Sequence, residues 1–345
     1  PGGPGRSADP HSVSRRVLAA LEPDDRLVEL VEVDGRLHVL VCGAGRVTRH
    51  RAGSAGQAHA EVEFARFTLT RLAYGMSHRD PGRLHQELVR AGALLQELLL
   101  GDAVDRLGAG DGRIVVVPPG RLHAVPWGLL PQLRDRVVAV APSAASWLRA
   151  REVPATGGGR VVLVRGPGLA SGGGEVTEVA AGAAGGPDRP VVLTDGAAGV
   201  QAVLRAIDGA DLVHIAAHGT FRADSPLFSA LHLDDGPLTC YDLQRLHRAP
   251  RRLVLSSCDS GLAAPAGADE LLGLANALVP LGTRAVVASV VPVEDEAAVG
   301  LMTGLHGALR AGRDLAEALR DGRRQAGQLP AAVAAAASFL CLGAG

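Results

Sequence analysis

Asp211-Leu-Val-His-Ile-Ala-Ala-His-Gly219 and Arg252-Leu-Val-Leu-Ser-Ser-Cys-Asp-Ser-Gly261 are the two stretches from which the fold is read. Each is a short apolar run that ends in a reactive side chain followed by small residues. Residues 212–217 and 253–255 are too short for helices and are bounded by breakers, so they read as buried parallel strands. In an open α/β sheet, chemistry sits just beyond the carboxyl ends of the strands. That reading puts His218 and Cys258 at two strand ends. The forty-residue step from one to the other holds about one strand–helix crossover, so the strands are expected to be neighbours. A thiol and an imidazole on adjacent strand ends form a nucleophile–base pair. The thiolate is the nucleophile, and a nearby imidazole lowers the thiol pKa. Histidine titrates near neutrality, so it can take a proton and return it to a leaving group. Gly219 allows close backbone approach, so its N–H, with that of Cys258, is placed to face a developing oxyanion. A cysteine alone at a strand end is ordinarily just buried; the pairing with His-Gly is what argues for chemistry.

Outward from these strands the chain alternates. Strand 191–193, helix 200–207, strand 212–216, a helix after Thr239, strand 252–256, helix 269–278, strand 285–291 and helices from 294 and 314 follow one another. Such alternation implies a mostly parallel sheet with helices on both faces. Thr239 is a fair N-cap for a helix at 241–246. The 294–310 helix carries Ala297, Leu301, Leu305 and Leu309 as its expected buried stripe. Upstream, residues 114–117, 137–140 and 161–164 read as strands and 144–151 as a helix. The Gly-rich run 165–190 reads as a loop open to mobility or cleavage, with a helix only around 175–184. Near the start, 26–33 and 36–42 joined at Asp34-Gly35 give a hairpin signal, with 47–51 as a third strand and 53–56 as a turn. Residues 61–74 and 83–100 look helical. The expected organisation is a disordered leader at 1–14, a hairpin and helical lobe at 15–110, a strand–helix–strand region with the Gly-rich loop at 111–190, and the main α/β unit at 191–345.

These segments together resemble the CHAT-domain family, caspase-like cysteine peptidases related to separases and caspases. The resemblance rests on His214-Ile-Ala-Ala-His-Gly219, Ser225-Pro-Leu-Phe-Ser229, Gly236-Pro-Leu-Thr239, Leu255-Ser-Ser-Cys-Asp-Ser-Gly261, Ala268-Asp-Glu-Leu-Leu-Gly273 and Ala285-Val-Val-Ala-Ser289. It extends through Gly120-Arg-Leu-His-Ala-Val-Pro-Trp127, Val138-Ala-Val-Ala-Pro-Ser143 and Ser338-Phe-Leu-Cys-Leu-Gly343. It implies a caspase-like α/β fold with residues 111–190 as a decayed half. It also implies a cysteine endopeptidase with His218 as general base and Cys258 as nucleophile. The family commonly has Glu after the cysteine, where this chain has Asp259; Ser260 keeps the small hydroxyl residue that follows. In separase-like relatives a carboxylate after the strand corresponding to 285–291 contacts a basic residue before the scissile bond. Asp295 stands at the comparable point, with Asp259 the alternative. For Asp295 the plain reading is charge complementarity at a helix N-terminus. The resemblance further suggests a regulated protease acting on a protein substrate in bacterial defence or cell death. A pore-forming effector as substrate, and an upstream activating partner or repeat domain, belong to the same expectation.

Composition narrows the alternatives. The 345 residues are 47% apolar but only 3% aromatic, so the core must be built from Val, Leu and Ala. A net charge of −1 argues against nucleic acid or an anionic membrane as partner. The longest apolar region, 271–291, is interrupted by Pro280 and Arg284 and falls short as a spanning helix. Four cysteines without CxxC spacing, and no signal peptide in the opening residues, favour a reducing, cytoplasmic location. No cofactor or metal is required. His214 and His218 are four apart, but on a strand, with no third ligand nearby. His214 is read as a buried, hydrogen-bonded support for the site, and Ser257 as a second support. No Gly-rich stretch has the spacing of a phosphate loop, and Ser256 and Ser257 lack a nucleophile elbow. Two other readings stay open. One is a catalytically silent protein-interaction module with the same fold; the other is a small-molecule-binding α/β domain.

Overall fold

The structure, a computed structural model, describes residues 10–73, 81–154, 159–169, 173–183, 189–220, 229–259 and 278–345. Of the leader expected at 1–14, residues 1–9 lie outside those residues, and 10–14 belong to the helix Pro10–Ala20. Also outside the described residues are the Ser225-Pro-Leu-Phe portion of the family motif, the Ala268–Gly273 segment, and nearly all of the helix expected at 269–278.

Strands β1 (Arg26–Val33), β2 (Arg36–Gly43) and β3 (Arg46–Ser54) form an antiparallel meander. Its first turn is Asp34-Gly35, with φ of 50° and 71°. Positive φ at both central residues is what a two-residue hairpin needs to match the strand twist. The meander is not a separate sheet, because β1 runs parallel to β4 (Ile114–Val117). The sheet continues through β5 (Val138–Val140), β6 (Val161–Arg165), β7 (Val191–Leu193), β8 (Leu212–Thr220), β9 (Ala230–Leu233), β10 (Gly236–Thr239), β11 (Arg252–Asp259), β12 (Ala285–Ser289) and β13 (Phe339–Gly343). Along it the order is β10-β9-β8-β11-β12-β13-β5-β4-β1-β2-β3, with β6 and β7 joined on beside β8. The central ladders are mostly parallel and helices cover the sheet, as alternation predicts.

Side chains alternate between faces with the two-residue period of a strand. Val28, Leu30, Val39 and Val116 pack under helices Ala55–Ala73 and Pro81–Leu100. Leu27, Cys42, Val115 and Val117 pack on the other side with Val17 and Trp147. The core is Val, Leu and Ala around two fully buried tryptophans, Trp127 and Trp147. The helix Ala55–Ala73 begins where a turn at 53–56 is expected, so β3 passes into it directly. In helix Asp295–Arg310 the buried stripe is Ala298, Leu301, Met302 and Leu305. Ala297 and Leu309 lie at its half-buried margin. Thr239 caps the helix Cys240–Leu243 in a capping box with Asp242, and that helix is shorter than the 241–246 expected. Among the described residues no helix is long and apolar enough to cross a membrane.

Candidate active site

β8 and β11 run side by side and parallel from Arg252↔Leu212 to Asp259↔Gly219. His218 and Cys258 are register partners in that ladder, so their Cα atoms are one strand spacing apart, about 5 Å. Both strands run further than their apolar cores suggest, and the two residues lie inside the last turns of the pleat rather than beyond it. The cause is non-local. Gly219 and Thr220 pair antiparallel with Leu231 and Ala230 of β9, which draws the end of β8 into the sheet.

The other edge of β8 is divided. β6 pairs with Leu212–Ala216, whereas β9 pairs with Gly219 and Thr220. His218 stands at the fork between them. The chain leaving β6 crosses this fork as Gly166-Pro-Gly168. Gly166 donates its N–H to Ala216 O at 2.7 Å, and a Cβ on it would meet His232 O at 2.6 Å and Ala217 Cβ at 2.8 Å. Gly168 has φ +76° and brings its carbonyl to 3.0 Å from His218 Nε2. A carbonyl only accepts, so Nε2 carries the proton and Nδ1 carries the lone pair. Nδ1 is buried and has no hydrogen-bond partner among the described residues. The half-buried imidazole is thus held in one tautomer, with its basic nitrogen free of partners among the described residues.

Below the fork, on the His218 face of the sheet, lies a buried polar chain. His306 Nε2 is 2.9 Å from His214 Nδ1, and the rings stack with centroids 5.0 Å apart. His214 Nε2 is 2.8 Å from Ser256 Oγ, which in turn donates to Glu175 Oε1. With Glu175 ionised, all three contacts are satisfied by His306 N–H to His214, His214 N–H to Ser256 and Ser256 O–H to Glu175; with Glu175 protonated, the reversed order, starting from its O–H, satisfies them as well. Glu175 and His214 are 0% exposed. Burial, with the charge of Asp295 adding to it and the Ser256 bond opposing it, pushes Glu175 up to about 8. Burial pushes His214 down to about 4, and His306 well below the ordinary histidine value. Both imidazoles are therefore neutral, and Glu175 holds a proton, at neutral pH. The chain ties β8 and β11 to helix Gly174–Ala183, which carries Glu175, and to helix Asp295–Arg310, which carries His306. Val176 and Val179 of the first helix pack on Ala216 and Leu163.

This network has a pH signature. Folded, Glu175 keeps its proton to about pH 8, against 4.5 for a free carboxyl. Between those values the folded state binds more protons, so stability falls as pH rises. The depressed histidines act oppositely: His214's contribution is complete above 6.5 and is lost as pH falls toward 4. Glu175 therefore acts alone of the three between pH 6.5 and 8. Wild type is expected to lose about 2 kcal/mol relative to Glu175→Gln across that window. Urea unfolding of both proteins at the two pH values measures it; an unchanged gap between them contradicts the protonated Glu175.

The expected site residues fall as follows. His218, Gly219 and Cys258 come together at the ends of β8 and β11. His214 is buried and bonded on both ring nitrogens. Ser256 makes a supporting bond to it; the side chains of Ser257, Cys258 and Asp259, on which the Ser257 and Asp259 expectations rest, lie outside the described residues. Asp295 is 5% exposed and lies in the field of Glu175. Gly168, Glu175 and His306 are absent from the sequence reading.

A family model described as the CHAT domain matches residues 82–343. No curated protein matches the chain. Among solved structures, two crystal structures of the Saccharomyces cerevisiae separase–securin complex superpose with TM-scores of 0.63 and 0.60 at 11% identity, covering 96% of this chain. This chain spans 30% of the length of those separase chains. A crystal structure of the Arg-specific cysteine proteinase gingipain R aligns with a TM-score of 0.45 at 11% identity, covering 85% of this chain and 76% of that one.

Proposed function

The chain belongs to the CHAT-domain family, and from that premise we propose that it is a cysteine endopeptidase acting through Cys258 and His218. The observation that carries the proposal is the register match of these two residues, beside an imidazole whose Nδ1 has no partner among the described residues. In the proposed cycle Nδ1 takes the Cys258 thiol proton, and the thiolate attacks a substrate carbonyl. The amides of Gly219 and Cys258 stabilise the oxyanion. The imidazolium then protonates the leaving amine, and water, deprotonated by the same nitrogen, hydrolyses the thioester. Gly168 is a positioning residue, holding Nε2–H so that Nδ1 stays the base.

That role is testable. Gly168→Val forces a β-branched residue to φ +76°, which such residues avoid. A shift of the imidazole by about 1 Å can cost about a hundredfold in rate. Gly168→Val is expected to lower kcat by tens-fold while Gly168→Asn, tolerated in that conformation, retains most of it. Equal kcat in the two variants removes Gly168 from the mechanism.

The substrate is proposed to be a protein, in a regulated pathway of bacterial defence or cell death, with a pore-forming effector as one candidate. Separase in the matching structures is bound to securin, which supports control by a partner protein. Cys42, Cys240 and Cys341 are free thiols, which supports a reducing compartment such as the cytoplasm. A basic residue before the cleaved bond is proposed, with Asp295 as its candidate carboxylate and Asp259 the alternative. Comparing new protein N-termini in cells making wild type or Cys258→Ala tests the reading. Termini unique to wild type, following Arg or Lys, are expected; identical sets leave a non-enzymatic interaction module.

A further inference from the structure

At the amino ends of β6, β8, β11 and β12, the opposite end of the sheet from His218, lies a second cavity of about 680 Å³. Its charge is lopsided. Arg251, Arg252, Arg284, Arg310 and Arg313 line it, against Asp211 and Asp314. Asp314 is engaged by Arg113, outside the lining. Asp211 is shared by two guanidinium groups: Arg251 Nη1 is 3.1 Å from Oδ1, and Arg252 bonds Oδ2. The Nε atoms of Arg251 and Arg252 are buried and have no hydrogen-bond partner among the described residues. Arg284 spends its donors on main-chain oxygens, Gly345 O at 2.8 Å and Arg151 O at 3.4 Å. Burial, and then the charge of Arg251, lower its proton affinity. Arg310 has no carboxylate partner among the described residues, and Arg313 reaches Asp321 only at 3.8 Å. The opposing wall is apolar, formed by Val161, Leu163, Val179, Leu212 and Leu309.

Half-buried guanidinium groups crowded around one carboxylate repel one another, and a multivalent anion relieves that repulsion. Guanidinium forks match phosphate oxygens in pairs. The cavity has the size of a small-molecule site, within the usual range of about 300–1,000 Å³. It is a recess in a chain of net charge −1, which disfavours a long polyanion. We propose that this cavity binds a phosphorylated small molecule of the nucleotide class, its polyphosphate among Arg252, Arg284 and Arg310 and its flat body against the Val161–Leu309 wall. The site differs from a phosphate loop in using side-chain forks instead of backbone amides. It is independent of the peptidase reading. His306 forms part of its lining, so an anion there also borders the buried chain that reaches Ser256.

The test is calorimetric titration of the full chain, with thermal unfolding alongside, using ATP, pyrophosphate and adenosine. ATP and pyrophosphate are expected to bind saturably and raise the midpoint, ATP more tightly, with affinity falling as salt rises; adenosine is expected not to bind. Arg310→Glu with Arg313→Glu, both at the exposed rim, is expected to weaken ATP binding by about tenfold or more. If that double variant fails to fold, Arg310→Gln alone gives the comparison, with about a severalfold loss expected. Absence of saturable binding by either phosphate compound overturns the proposal, as does unchanged ATP affinity in a folded rim variant. Binding is read without turnover, so an inactive peptidase leaves the result intact.

Discussion

His218→Ala is expected to lower peptide cleavage by about a thousandfold or more while leaving the unfolding midpoint close to that of wild type. Among the described residues the imidazole's hydrogen bond is to Gly168 O, at a partly solvated fork, so little folding energy resides in it. Its removal takes away both the acceptor for the thiol proton and the donor to the leaving amine. Cys258→Ala should be at least as damaging, and the double variant no worse than the poorer single one, because the two act as a unit. The contrast is His214→Ala, which cuts a bond to His306 and another to Ser256 in the interior and should be felt first in stability. Turnover of a fluorogenic peptide and thermal unfolding of the same samples separate the cases. A loss under about tenfold for His218→Ala, or additive losses in the double variant, contradicts the mechanism.

Asp211→Ala is expected to destabilise the fold by about 3 kcal/mol, the lower end of what removing one partner of a buried pair costs. The Asp211 side chain is 8% exposed, and it is shared by Arg251 and Arg252, each 17% exposed. Removing it leaves the guanidinium groups of two consecutive residues at the start of β11 without their shared carboxylate, with Arg284 close by. Solvent reaches both arginines, which keeps the cost from the top of the range. Asp211→Asn, which keeps an acceptor but not the charge, should cost less. Urea unfolding measures both; a loss under about 1 kcal/mol for Asp211→Ala means that solvent already screens the cluster.

The elements that local pattern controls were legible. Strand Val191–Leu193 and helix Val200–Ile207 stand at the bounds their apolar spacing implies, and Asp34-Gly35 turns as its residue types demand. What the pattern could not show is set by distant partners. Gly219 looks like the end of a strand until β9 pairs with it. Glycines 53 and 56 look like a turn, yet the chain passes there from strand to helix. At the site, His218 and Cys258 stood out because a reactive residue closes each apolar run. Gly168 lies 50 residues from His218, Glu175 lies 81 from Ser256, and His306 lies 92 from His214. No local period links such positions. Ser256 was within reach of the two-residue rule, since it shares a face with Cys258 in the pleat and Ser257 does not.

In the proposed cycle Cys258 is a nucleophile activated by His218. This activation is tested most directly by treating the full chain with a thiol-directed peptidyl probe carrying Arg at its reactive end and mapping the adduct by mass spectrometry. The account predicts one adduct, on Cys258, formed quickly in wild type, far more slowly in His218→Ala and not at all in Cys258→Ala. Adducts spread over Cys42, Cys240 and Cys341, or labelling of Cys258 at the same rate without His218, would contradict it.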